Sequence, residues 1–150
     1  MPFYDDALTL REARDAYFAR SGFAPDGGYD DRWVFLKAGG ITVFAFPNTA
    51  ARVAAVRLHD LHHILTEFDT TWAGEAEIAA WELAAGCGRY YAAWLLNLGA
   101  AAIGLCITPR RVLRAFARGR RSDALYTSRF SEELLDDTVG ATRRRLRLKA

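Results

Sequence analysis

The chain has 150 residues, of which 51% are hydrophobic and 25% charged, with a formal net charge of +2. That length and balance fit one globular domain with a substantial core and exclude a disordered chain. Two cysteines nineteen positions apart exclude a disulfide scaffold, a zinc knuckle and a paired-cysteine redox motif.

The N-terminal run Met1-Pro2-Phe3-Tyr4-Asp5-Asp6 is acidic. It lacks the basic-then-apolar order of a signal peptide, so the expected compartment is a reducing cytoplasm. Thr9 to Arg20 has helical composition and ends near Ser21-Gly22. Residues 24–28, Ala-Pro-Asp-Gly-Gly, form a turn-rich loop. Trp33–Leu36 and Ile41–Phe46 are rich in β-branched and aromatic side chains, and Gly39-Gly40 between them predicts a short hairpin. Pro47-Asn48-Thr49 is a helix start, with Asn48 or Thr49 as cap. From there on the pattern is helical nearly to the end, so the fold class is mainly α: a compact multi-helix domain with a short N-terminal β-hairpin.

The first long helix is predicted over residues 49–67. At 100° per residue, Ala54, Leu58, Leu61 and Leu65 share one apolar side. Arg52, His59, Asp60, His63 and Glu67 share another, flanked by Val53, Val56 and Ile64. Asp69-Thr70-Thr71 breaks the pattern and caps a helix from Trp72 to about Gly86. Glu75 sits in its first turn, where a carboxylate suits the helix dipole. A fold-back at 68–71 would carry Glu75 toward His63. Further helices are expected at 89–107, 109–118 and 131–147. Tyr90 to Ile107 is eighteen residues with Asn97 its one strongly polar member. This is short of the roughly 20 apolar residues a spanning helix needs, so a buried or interface-lying helix is favoured. Its Gly99 and Gly104 read as packing positions, or as room for an isoprenoid tail. Trp72, Trp81, Tyr90, Tyr91 and Trp94 read as core or interface anchors. Cys87 and Cys106 read as buried thiols.

Charge is divided along the chain. Residues 1–107 carry 8 basic and 13 acidic residues, and residues 108–150 carry 12 and 5. Arg110, Arg111, Arg114, Arg118, Arg120 and Arg121 form one basic cluster. Arg143, Arg144, Arg145, Arg147 and Lys149 form another. A basic amphipathic helix from Pro109 can lie on an anionic membrane surface, or it can be a solvated face. No nucleic-acid-binding motif accompanies it, so no nucleic-acid partner is expected.

All three histidines lie in His59-Asp60-Leu61-His62-His63, with Glu75 twelve residues after His63. On a helix, His59 and His63 point the same way and can share a metal ion, with Asp60 or Glu75 adding oxygen. Three chemistries compete. A zinc peptidase needs Glu directly after the first His, where this chain has Asp60. A phosphohydrolase built on a His-Asp doublet needs an upstream histidine, and none exists. Two histidines and one carboxylate suit a non-haem iron oxygenase. Zinc, iron, cobalt, manganese and magnesium remain open.

His-Asp-x-x-His, eleven residues, then Glu resembles the signature of the coenzyme Q biosynthesis protein 4 family of ubiquinone synthesis. The neighbouring words Leu65-Thr66, Phe68-Asp69-Thr70, Gly74-Glu75 and the Ile78 to Leu83 helix are similar to that family too. The resemblance is strongest over residues 48–96, and residues 1–45 do not carry it. It implies a helical protein peripheral to the inner membrane, with a divalent metal on His59, Asp60, His63 and Glu75. It implies a polyprenylated ring intermediate as partner. It also implies either oxidative decarboxylation at ring carbon 1, a lyase activity, or a scaffold that holds other ubiquinone biosynthetic proteins. A diverged member acting on another isoprenoid lipid is a third outcome. The aromatic content is compatible with a homodimer.

Overall fold

The structure, a computed structural model, describes residues 3–148 apart from the side chains of Leu36 and Ala38. Met1, Pro2 and Lys149, which entered the readings of the N-terminus and of the second basic cluster, lie outside the described residues. The elements run α1 (Leu10–Ser21), β1 (Trp33–Ala38), β2 (Ile41–Pro47), α2 (Ala50–Thr66), α3 (Trp72–Ala85), α4 (Tyr91–Ile107), α5 (Pro109–Gly119) and α6 (Val139–Arg145). Two 3-10 turns, Leu125–Thr127 and Glu133–Asp136, lie between α5 and α6. The protein is mainly α with one short antiparallel hairpin, as the periodicity predicts.

Local chemistry sets the boundaries. Thr9 caps α1 in a capping box, its hydroxyl accepting from the Glu12 amide while the Glu12 carboxylate takes the Thr9 amide. Gly22 closes that helix in the left-handed region, at φ 72°. Gly39 and Gly40, at φ 58° and 80°, supply the two positive dihedrals of the hairpin turn. Thr49, rather than Asn48, caps α2 by accepting from the Arg52 amide. Asn48 instead uses its side-chain amide to hold the carbonyls of Tyr29 and Asp31, tying the loop before the hairpin to the helix start.

The core is built around α2 and α3, with α1, α4, α5, α6 and the Leu125–Thr127 turn packed on them. Leu58, Leu61, Ile64 and Leu65 of α2 are fully or almost fully buried, as are Ile78, Ala79, Ala80 and Trp81 of α3. Ala54 is exposed and Ala55 takes its place inside, so the apolar stripe begins one residue later than the sequence pattern predicts. α3 packs in turn against α4 and α5. The hairpin stands off this core, with Trp33, Phe35, Ile41, Val43 and Phe44 all more than half exposed. Among the described residues no helix is long and apolar enough to cross a membrane.

Three expectations are corrected. The single helix over 131–147 is a 3-10 turn, a break and a short helix. Asp137 is extended and Thr138 caps α6, because the Leu10 amide donates to the Asp137 carbonyl and the Val139 amide to that of Leu8. Tertiary hydrogen bonds to the N-terminal segment therefore override helix continuation. Cys87 is buried, but Cys106 is exposed on α4. The second basic cluster is not a free cationic face. Arg145 pairs with Asp137, Arg147 pairs with Asp123, and Arg143 is buried.

Arg143 braces the helix that bears the histidines. Its guanidinium donates to the carbonyls of Ile64 and Leu65, at the C-terminus of α2, and to that of Tyr4. It also pairs with Asp6 at 2.7 Å and Glu67 at 2.8 Å. Helix-end carbonyls have no partner within the helix, and a cation there suits the dipole. Arg118 does the same for the Thr66 carbonyl. Arg143→Met is expected to cost about 3 kcal/mol or more in urea unfolding, because buried carbonyls and Glu67 lose their donor. Exposed Arg144→Met should stay within about 0.5 kcal/mol. Equal small losses would show that the brace does not hold α2.

Candidate metal centre

α2 places His59 and His63 one turn apart, and their rings meet edge to face with centroids 4.7 Å apart. Each ring is held from behind. The His59 Nδ1–H donates to the Glu82 carboxylate at 2.9 Å. The His63 Nδ1–H donates to the Phe68 carbonyl at 2.9 Å. These partners accept only, so they fix both imidazoles with the proton on Nδ1 and the lone pair on Nε2. The two Nε2 atoms then face each other at 3.1 Å. Two facing lone pairs repel unless a cation, a proton or a metal ion, lies against both.

Glu75 completes the group. The turn that delivers it is built from Asp69, whose carboxylate accepts from the amide and the hydroxyl of Thr71. The Thr71 hydroxyl in turn caps α3 by accepting from the Gly74 amide. Gly74 lies directly against the Asp69 carbonyl, where any Cβ would collide. This lets the first turn of α3 close onto the end of α2. Glu75 Oε1 lies 3.3 Å from His63 Nε2, and Oε2 lies 3.5 Å from His59 Nε2. Ligand atoms from His59, His63 and Glu75 lie within 4.8 Å of one another. Bonds of ~2.0–2.2 Å at octahedral to tetrahedral angles separate neighbouring ligand atoms by roughly 2.8–3.6 Å. The 3.1 Å between the two Nε2 atoms fits one edge of such a polyhedron, and the Glu75 carboxylate lies across that edge with one oxygen toward each imidazole.

Asp60 and His62, the other polar members of the motif, face elsewhere. The Asp60 carboxylate accepts from the Tyr29 hydroxyl at 2.6 Å, and Asp60 is not among the three grouped ligands. Burial raises its pKa, against the opposing effects of His59 and the Tyr29 hydrogen bond. His62 is fully buried. Its Nδ1–H donates to Glu82 at 2.6 Å, and its Nε2 accepts from the Leu125 amide at 2.9 Å. Both nitrogens are used, so His62 has none to give a metal. Burial lowers its pKa and keeps it neutral.

Glu82 is the residue the motif does not contain. It is 0% exposed, and it accepts from His59, His62, the Asn97 amide at 2.6 Å and the Tyr126 hydroxyl at 3.0 Å. Burial raises its pKa, but the two histidines outweigh this and hold the carboxyl well below the usual range. Glu75 is likewise lowered, the hydrogen bonds from His59 and His63 overcoming burial. For His59 burial lowers the pKa, but Glu82 and Glu75 together raise it well above the ordinary imidazole value. Without a metal, the two carboxylates thus favour a proton on His59. Tyr17 stacks on His63, with centroids 5.5 Å apart and planes 19° apart. The side chain of Glu75 is 40% exposed and that of His59 20%, so the group is open to solvent on the Glu75 side.

No family model, curated protein or solved structure matches this chain. The residues and their geometry therefore carry the functional argument.

Purified protein is expected to bind about one equivalent of divalent metal by elemental mass spectrometry, and His63→Ala to bind little. Glu82→Gln keeps the shape but weakens the hold on His59, so affinity should fall about 10–100-fold. Unchanged affinity in both variants would remove the site. A second expectation follows from protonation. The raised pKa of His59 stabilises the metal-free fold fully below about 6.5, and that contribution disappears as pH rises through the folded value. In chelator, the stability advantage of the parent over His59→Gln should therefore shrink as pH is raised above about 6.5. Metal affinity should rise in the same direction, because the metal displaces that proton. A growing stability advantage would contradict the assignment.

Proposed function

We propose that this chain is a ubiquinone-biosynthesis-type protein that binds a divalent metal and a polyprenylated benzenoid lipid, and that it performs oxidative decarboxylation at ring carbon 1. The observation that carries this reading is the group of His59 Nε2, His63 Nε2 and the Glu75 carboxylate, two histidines and one carboxylate open to solvent on the Glu75 side. The motif His59, Asp60, His63, Glu75 and its resemblance to the coenzyme Q biosynthesis protein 4 family supply the substrate class.

Each residue has a role in this reading. His59 and His63 donate imidazole nitrogen and Glu75 donates carboxylate oxygen. Glu82 and the Phe68 carbonyl aim the two rings. Asp60, whose pKa burial raises and whose carboxylate accepts from Tyr29, is the candidate proton donor or acceptor. A redox-active metal on this face would activate dioxygen, whereas zinc or magnesium would serve as a Lewis acid. In the overall reaction the ring carboxylate departs as carbon dioxide. One oxygen of dioxygen becomes the ring hydroxyl, and the other leaves as water with two electrons from an external reductant.

A scaffold that presents the lipid without turning it over is the second reading. It is favoured by the cavities. A half-open one of about 190 Å³ is lined by Arg14, Phe18, Tyr29, Arg57 and Phe130 among others, and a larger one lies near Leu125 and Leu134. Neither is lined by His59, His63 or Glu75.

Metal-loaded protein, dioxygen, a reductant and a prenylated carboxybenzenoid should yield carbon dioxide and the hydroxylated ring by mass spectrometry. His63→Ala should yield none while still retaining the lipid. Turnover that persists in His63→Ala rejects the metal's role. Absence of product from the parent, with a melting temperature that falls on chelation, selects the scaffold.

A further inference from the structure

The half-open cavity of about 190 Å³ is walled by α1, the loop before the hairpin, α2 and the segment between the two 3-10 turns. At the ~30 Å³ that one liquid water occupies, it has room for about six waters, or for one molecule the size of an amino acid. Its aromatic walls are fixed. Phe18 of α1 is buried, and Tyr29 meets it edge to face with centroids 5.9 Å apart. The Tyr29 hydroxyl is held by Asp60.

The charges in this cavity are only partly matched. Arg57 of α2 reaches between Tyr29 and Phe130, its guanidinium carbon 5.2 Å from each ring centroid. Two rings hold the cation there, yet it has no hydrogen bond or ion pair among the described residues, and its Nε is buried without an acceptor. The other lining charges are mostly committed. Glu132 pairs with Arg11 and Arg14 with Asp15, each at 3.0 Å. The Asp26 carboxylate accepts from the Gly28 amide. Asp30 is exposed and, like Arg57, has no side-chain partner among the described residues.

One free guanidinium and one free carboxylate therefore line the same cavity without pairing, because they are held on separate elements. A simple anion would satisfy Arg57 but meet Asp26, Asp30 and Glu132 as like charges. A simple cation would suit Asp30 but be repelled by Arg57 and Arg14. A zwitterion matches both ends, and the rings between them suit an apolar body.

We propose that this cavity binds a free apolar α-amino acid, with its carboxylate on Arg57 and Arg14, its ammonium toward Asp30, and its side chain against Phe18 and Phe130. The site is separate from the metal centre and does not depend on the chemistry assigned there.

The test is calorimetric titration of the full chain with the free amino acids, with acetate and geraniol as probes for a bare anion and a prenyl chain. Each amino acid that binds is repeated as its N-acetyl and its amide derivative, which remove one charge at a time. At least one apolar amino acid is expected to bind, and either derivative should lose about 10-fold or more in affinity, because a charged hydrogen bond is lost. Arg57→Met and Asp30→Asn should each cause a loss of similar size. Both replace side chains without a partner, and an unchanged melting temperature will confirm that both variants fold. The proposal is overturned if no amino acid binds, or if affinity survives in the derivatives or in both variants. Acetate binding as tightly as the best amino acid would reassign the cavity to a bare anion, and geraniol displacing the amino acid would reassign it to a prenyl chain; either result also overturns the proposal.

Discussion

A carboxylate removed from water has to be surrounded by donors, and Glu82 is 0% exposed. The cost of burying an ionised group without partners amounts to several kcal/mol even after relaxation. Glu82 meets that demand with four side-chain donors from three segments: His59 and His62 from α2, Asn97 from α4 and Tyr126 from the turn after α5. None can be withdrawn without leaving charge or polar surface unmatched in the core. The packing of α2, α3, α4 and the Leu125–Thr127 turn is therefore specified by one charge. Leu58, Leu61, Ile64 and Trp81 are buried in one hydrophobic cluster around it. Their contacts are non-directional, however, and tolerate sliding that a hydrogen-bonded carboxylate does not.

The same charge divides two histidines by role. His62 and His59 both donate Nδ1–H to Glu82, yet only His59 keeps a lone pair for use. The difference lies in what meets Nε2: the Leu125 amide for His62, and the His63 ring with Glu75 for His59. α2 could present neither ring reliably if its C-terminal turn frayed. Arg143 and Arg118 prevent that by satisfying the last carbonyls of the helix from α6 and α5. Residues that look like a basic surface in the sequence are in part a clamp on the metal-binding helix.

What the sequence shows and hides follows range of interaction. The helices, the hairpin and the His59–His63–Glu75 group depend on local periodicity, caps and i, i+4 spacing, which a linear reading resolves. The pairing of His59 with Glu82 spans twenty-three positions and that of Arg143 with Leu65 seventy-eight, so no local pattern reports them. Faint signals exist. Glu82 stands in an otherwise apolar Ile-Ala-Ala-Trp-Glu-Leu run, and Asn97 is the single strongly polar residue of α4. Two isolated polar residues in neighbouring apolar helices must find each other or remain unpaired. Asp60 shows the opposite failure. Its place in the motif does not announce that Tyr29, thirty-one residues earlier, occupies its carboxylate. The break at Asp137-Thr138 was hidden because its cause is hydrogen bonding to residues near the N-terminus.

Asn97 gives the fold its last connection. It lies on the buried stripe of α4, and its amide reaches Glu82 Oε2 while Glu82 Oε1 holds His59. One carboxylate therefore separates the metal-facing imidazole from the helix whose opposite side is bare and apolar. The buried lining of α4 is small, formed by Ala93, Ala101 and Gly104, so its polar contact with the core is concentrated at Asn97. A helix seated this way keeps a large hydrophobic surface outward without loosening the centre, because its position is set by a hydrogen bond to a buried charge and by close backbone packing. That division explains how one small domain can combine a rigid polar cluster with an exposed apolar flank. The cluster is stabilised by a charge that cannot be left unpaired, and the flank is free to vary because little of the core depends on it.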